Sequence, residues 1–115
     1  MLLKKGNKVL VVHRRLFEND KSRFFLGEVE AYEHAVAKVT GQTWVKDPHT
    51  TSFMNKEGAR TKLISLSSGT LIVYLIPNGT KLSSLKFEAT QGGATLLTDG
   101  KKFSMDLSEA VHEKA

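Results

Sequence analysis

The sequence predicts an all-β protein: a small SH3-like or related barrel of seven to eight short strands, with a short C-terminal helix or tail. Three observations carry this expectation. Short stretches rich in β-branched and aromatic residues recur along the chain, as in KVLVVH from Lys8, RFFLGEV from Arg23 and TLIVYLI from Thr70. Turn-forming pairs separate such stretches, among them Gly6-Asn7, Asp47-Pro48, Asn78-Gly79 and Asp99-Gly100. No stretch holds apolar residues at the three-and-four spacing of a long amphipathic helix.

The elements follow in order. After the Gly6-Asn7 turn, Lys8 to Phe17 reads as a strand that starts buried and emerges at Arg14-Arg15. A polar loop spans Glu18 to Arg23. Phe24 to Tyr32 then alternates: Phe25, Gly27, Val29 and Ala31 form an apolar set, and that face is expected to turn inward. Glu33-His34 is the expected hairpin tip. Ala35 to Val45 is the return strand, with Val39 and Trp44 as core anchors, and Asp47-Pro48 closes the unit.

His49 to Thr61 is polar and reads as the longest loop. Lys62 to Leu66 and Thr70 to Ile76 look like a hairpin about Ser67-Ser68-Gly69, and the second of them, apolar on both faces, is expected to be the most buried strand. Pro77-Asn78-Gly79 is a turn, and Lys81 to Leu85 fits one helical turn. Lys86 to Ala89, Thr95 to Thr98 and Lys102 to Leu107 read as three strands, the last two joined by Asp99-Gly100 as a two-residue turn. Ser108 is placed to cap a short terminal helix.

The chain has 115 residues and no cysteine, and reads as a single β-barrel-like domain over 1–115 with a core that needs no disulfide or thiolate metal site. The N-terminus lacks the apolar segment of a signal peptide and no apolar run is long enough to cross a bilayer, so the expected location is cytoplasmic, with no membrane partner. The charge is +5. The basic excess falls in two groups, Lys4 to Arg23 and Lys56 to Lys86, which make a basic face if the fold unites them.

Lys5-Gly6-Asn7-Lys8-Val9-Leu10-Val11-Val12, Gly27-Glu28-Val29 and Val36 to Val45 around Gly41 resemble the KOW-type SH3-like barrel of ribosomal proteins and transcription elongation factors. The resemblance covers residues 5 to 46. It departs from the family where ENDKSRFF replaces a glycine-rich loop and where Lys38 interrupts Val36-Ala37-Lys38-Val39. It implies a small barrel that binds RNA or a protein.

The residues themselves speak for binding rather than catalysis. His13, His34, His49 and His112 include no pair at ligand spacing, so neither a metal nor another cofactor is expected. Glu28, Glu30 and Glu33 read as a solvated face, and no serine sits in a nucleophile elbow. The expected binding residues are Arg14, Arg15, Lys21, Arg23, Phe24 and Lys46. Arginines and lysines there flank aromatic rings, and Phe24 and Phe25, being consecutive, must face opposite sides of a strand. Two occupants are consistent with such a surface: a protein partner or a second copy of the chain, which is the first expectation, and alternatively RNA held by a basic face.

Overall fold

The computed structural model describes residues 3–13, 22–47, 52–56, 58–89 and 95–107. Among these the regular structure is strand throughout, apart from one 3-10 turn at Leu82–Ser84 where a helical turn is expected. The strands form two antiparallel sheets, and the chain falls into two compact units, Met1–Leu82 and Ser83–Ala115. Arg14, Arg15, Phe17, Lys21 and the expected C-terminal helix lie outside the described residues.

The first unit contains β1 (Lys8–His13), β2 (Ser22–Glu33), β3 (Val36–Lys46), β4 (Phe53–Asn55), β5 (Arg60–Ser65) and β6 (Leu71–Ile76). They join in the order β4-β3-β2-β1-β6, with β5 also on β3. β4 takes the Trp44–Lys46 end of β3 and β5 takes Val36–Gly41, so the stretch read from sequence as one irregular loop contains a strand.

Period-two alternation sets the inner face. Val9 and Val11, Phe25 and Val29, Ala37 and Val39, and Ile64 come from four strands and pack as one buried cluster, joined by Leu71 and Val73 from β6. A flat sheet would hold β5 and β1 about 14 Å apart, three strand spacings. Their side chains share one core, so the sheet is strongly curled and this face is concave. Phe25 is wholly buried there and contributes about 3 kcal/mol by burial.

Gly27 faces Gly41 in the β2–β3 register, and the two backbones there leave no room for side chains. A Cβ on Gly41 would lie 2.0 Å from the Leu26 carbonyl oxygen, and one on Gly27 would lie 2.4 Å from that of Thr40. Only hydrogen fits at either position.

Simple alternation in β2 fails at one point. Val29 pairs with Val39 and Ala31 with Lys38, leaving Glu30 as the extra residue of a β-bulge. Beyond it the faces exchange, so Ala31, expected inside, is exposed, and Tyr32 turns inward to pack on the core. Glu30 accepts a hydrogen bond from Thr40 Oγ1, and its other oxygen lies 3.9 Å from Lys38 Nζ.

The β2–β3 hairpin closes through His34 and Ala35, with φ of 50° and 63°, one residue beyond the expected tip. Two successive positive φ values make a type I′ turn, which suits the twist of the strands. Alanine is strained there. Ala35→Gly is therefore expected to raise the stability of the fold by about 1 kcal/mol, measured as a higher midpoint in urea; an unchanged or lower midpoint would show that the turn is not strained.

Two expectations from sequence are corrected at the far edges. β5 and β6 do not form a hairpin, because β5 pairs with β3 and β6 with β1. Nor is β6 the most buried strand: it has a single ladder among the described residues, its first four residues are only half-buried, and Leu75 is 55% exposed. The seam between β5 and β6 carries no ladder among the described residues, so the expected barrel is curled but not closed. Lys62 supplies a physical reason. It points inward from β5, and full closure would strand its ammonium in an apolar interior at a cost of several kcal/mol.

The second unit is a meander of β7 (Lys86–Ala89), β8 (Thr95–Thr98) and β9 (Ser104–Asp106). Leu85, Phe87, Leu97 and Leu107 are buried. The β8–β9 connection is longer than the expected two-residue turn. Asp99 Oδ1 accepts hydrogen bonds from the Lys101 and Phe103 amides, at 2.8 and 3.0 Å, and these hold its carboxyl below the usual range. Gly100 takes the positive φ.

Candidate functional site

The concave face is apolar over most of its length and basic toward the end where β1 finishes. His13 closes β1 opposite Arg23 of β2 and Leu71 of β6, and all three share the inner face with Phe25 by alternation. From the other side of the curl, β5 brings Arg60 and Lys62, also inward in register. Lys62 Nζ lies 4.6 Å from the centroid of the Phe25 ring, a cation–π contact that spans the intervening β3. Lys56 approaches by its own route, its amide donating to the Thr43 carbonyl at 2.8 Å.

Two pKa shifts reflect this gathering of positive charge. Burial lowers the Lys62 pKa, and the positive charges of Arg60, Arg23 and Lys56 lower it further. His13 is lowered first by burial, then by Lys62 and Arg23. None of the five forms an ion pair with a carboxylate among the described residues. Like charges gathered without counter-charges destabilise the fold by mutual repulsion, and an anion relieves that repulsion.

The two basic groups of the sequence thus meet here through His13 and Arg23 from one and Lys56, Arg60 and Lys62 from the other. Of the residues singled out from sequence, Arg23 belongs to this mouth. Phe24 does not: it is 4% exposed, on the opposite face of β2, with its ring 6.4 Å from that of Phe53. Both faces of β2 are covered, which is why consecutive phenylalanines are buried together. Lys46 also lies on that opposite face, paired with Ser22, and its Nζ sits 5.6 Å from the Phe53 ring centroid. Arg23 and Lys46 are therefore not neighbours on one surface.

Sequence reasoning gave no individual weight to Arg60, Lys62 or His13. The signal was present in Arg60-Thr61-Lys62, where a two-residue spacing on a strand puts both cations on one side. What the spacing did not reveal was that this side faces inward.

Two further surfaces are apolar. A groove of about 300 Å³ along the open seam is lined by Leu3, Leu66, Leu71, Val73 and Leu75. On the outer face Leu63 is 74% exposed beside Val36. Among the described residues no group of three or more His, Asp or Glu side chains is arranged to hold a metal ion, and no helix is long and apolar enough to cross a membrane.

The fold and this mouth define a class: a curled, half-open β-sheet domain with a cation-lined concave face. Comparison with protein-family models, with curated proteins and with solved structures returns no match for the chain.

Proposed function

We propose that the chain is a non-enzymatic binding module that holds single-stranded RNA by its phosphate backbone at the basic mouth. The observation that carries this reading is the convergence of His13, Arg23, Lys56, Arg60 and Lys62 with no carboxylate paired to them among the described residues. Phosphates are the polyanionic groups that guanidinium and ammonium donors neutralise, and counterion release supplies most of the affinity. The buried state of Phe24 and Phe25 favours backbone contact over base stacking, hence little dependence on sequence.

Self-association or protein binding, the first expectation from sequence, draws support from the apolar seam groove and from the exposure of Leu75. The cations beside that groove oppose a second copy of the same chain, which would bring the same cations. RNA is the better-matched occupant.

The test is anisotropy of a labelled oligouridine over a salt series. Affinity is expected to fall with a log–log slope of about −0.7 per phosphate contacted, thus about −2 for three contacts. Reversing Lys62 to Glu is expected to weaken binding at least tenfold and flatten the slope by about one contact. No salt-sensitive binding at low ionic strength, together with a dimer by light scattering, would overturn the proposal in favour of self-association.

A further inference from the structure

The concave face contains a polar atom that the fold leaves unused. Thr43 is 7% exposed, and its Oγ1 is buried without any hydrogen-bond partner. Native folds rarely tolerate this, and such a group calls for a reason such as a bound ion. Its position suggests one. Thr43 is the cross-strand partner of Phe25, the residue whose ring carries the Lys62 ammonium at 4.6 Å. Arg23 lies two residues before Phe25 on the same face of β2, and Lys56 donates its amide to Thr43's own carbonyl.

A hydroxyl can donate to an oxyanion, whereas a ring offers an ammonium only partial compensation. We propose that the Thr43 hydroxyl and the Lys62 ammonium form a pocket for one phosphate group, with Arg23 and Arg60 at its rim. In the free protein Lys62 rests on Phe25. When phosphate arrives, the flexible lysine stem lets the ammonium leave the ring for a phosphate oxygen, and the Thr43 hydroxyl donates to a second. No covalent step is involved. The inference rests on the RNA reading for its biological occupant, but it makes a separate claim: a tetrahedral phosphate is recognised by itself, whether it comes from a backbone diester, a terminal monoester or the free ion.

The test uses inorganic phosphate and Thr43→Val, an isosteric change that removes the unpartnered hydroxyl and leaves the strand intact. The variant is expected to melt at or above the wild-type temperature, because nothing in the fold uses that hydroxyl. Amide resonances of Thr43 and Lys62 are expected to shift on phosphate titration of the wild type, with affinity lowered roughly tenfold in Thr43→Val. Tighter binding of 5′-phosphorylated than of unphosphorylated oligouridine would support the pocket with a monoester as occupant, and equal binding would support it with the backbone diester. Unmoved wild-type resonances, or a variant that binds phosphate as well as the wild type, would overturn the pocket. If oligouridine still bound in that case, the RNA reading would survive without it. Phosphate binding sensitive to Thr43→Val, with no affinity for oligouridine, would instead sustain the pocket and defeat the RNA reading.

Discussion

Replacing Gly41 by valine is expected to unfold the first unit. The added Cβ would lie 2.0 Å from the Leu26 carbonyl oxygen and 2.5 Å from the Gly27 Cα, and all of these atoms are backbone. No rotamer relieves such an overlap. The strands must separate at the Gly27–Gly41 pair, and separation breaks the ladder that carries β2 against β3. The cost is about 4 kcal/mol or more, a large part of the 5 to 15 kcal/mol typical of a domain. Thermal unfolding by circular dichroism should show no cooperative transition, or one displaced by tens of degrees. Gly69→Val is the control: nothing lies within 4 Å of a Cβ there, and its melting curve should overlay the wild type. A cooperative Gly41→Val transition near that of the wild type would show that the close approach of β2 and β3 is not required.

Acidification is expected to weaken the fold while strengthening its grip on RNA. The His13 pKa in the folded chain lies below the ordinary 6.5, through burial and then through Lys62 on β5 and Arg23 on β2; its β6 neighbour, Leu71, carries no charge. The unfolded chain therefore binds more protons than the folded one just below pH 6.5, and stability falls as pH drops through that window. Below the folded pKa the full cost is reached. Lys62 is also lowered, so its charged form is disfavoured in the folded state at neutral pH, and stability is recovered only as pH rises through its folded pKa toward 10.5.

A bound phosphate reverses both effects, since it stabilises His13 and Lys62 in their charged forms. Between about pH 7.5 and 5.5 the melting temperature of the free protein should fall and oligouridine affinity should rise. Lys62→Met separates the two properties. It removes the second cause of the His13 shift and keeps a side chain that packs on Phe25, so the variant should melt at or above the wild type, decline less in acid and bind RNA weakly. Melting temperatures and affinities flat across this range would contradict the assignment of His13 to the mouth.

Much of the local structure was legible in the residues. Val9, Val11, Phe25, Val29 and Val39 alternate along β1 to β3, and each lands in the concave core as period-two burial requires. The Leu82–Ser84 turn and the three strands of the second unit were likewise readable from apolar spacing. What escaped was non-local. A five-residue connection joins β5 to β6 and resembles a hairpin turn, yet curling of the sheet sends the two strands to different partners. No local pattern distinguishes these outcomes, because each strand's partner lies far away in the sequence.

The site was legible by charge and not by place. Arg23 was named from sequence and does face the mouth, but Phe24 beside it is covered, and nothing in the dipeptide Phe24-Phe25 reveals that both sides of the strand are packed. Lys62 was counted among the basic residues without reason to point inward. Strand alternation decides that point only once β5 is known to pair with β3. Thr43 had no signal at all, since a threonine on a strand is ordinary until its hydroxyl is seen to lack a partner.

The single extra residue at Glu30 has a consequence for how β2 tolerates change. On either side of it the rule for which positions accept a polar substitution is reversed: just before it Gly27 and Val29 are buried and Glu28 is exposed, and beyond it Tyr32 inherits the inward place. Ala31 is free to vary in polarity, although strict alternation would forbid it. Deleting Glu30 would leave an unbroken ladder, with Ala31 still opposite Lys38 and Tyr32 still opposite Ala37, so the strand can lose this residue without re-phasing either side chain. Losing a paired residue of β2 would exchange its two faces, whereas losing the unpaired Glu30 would not.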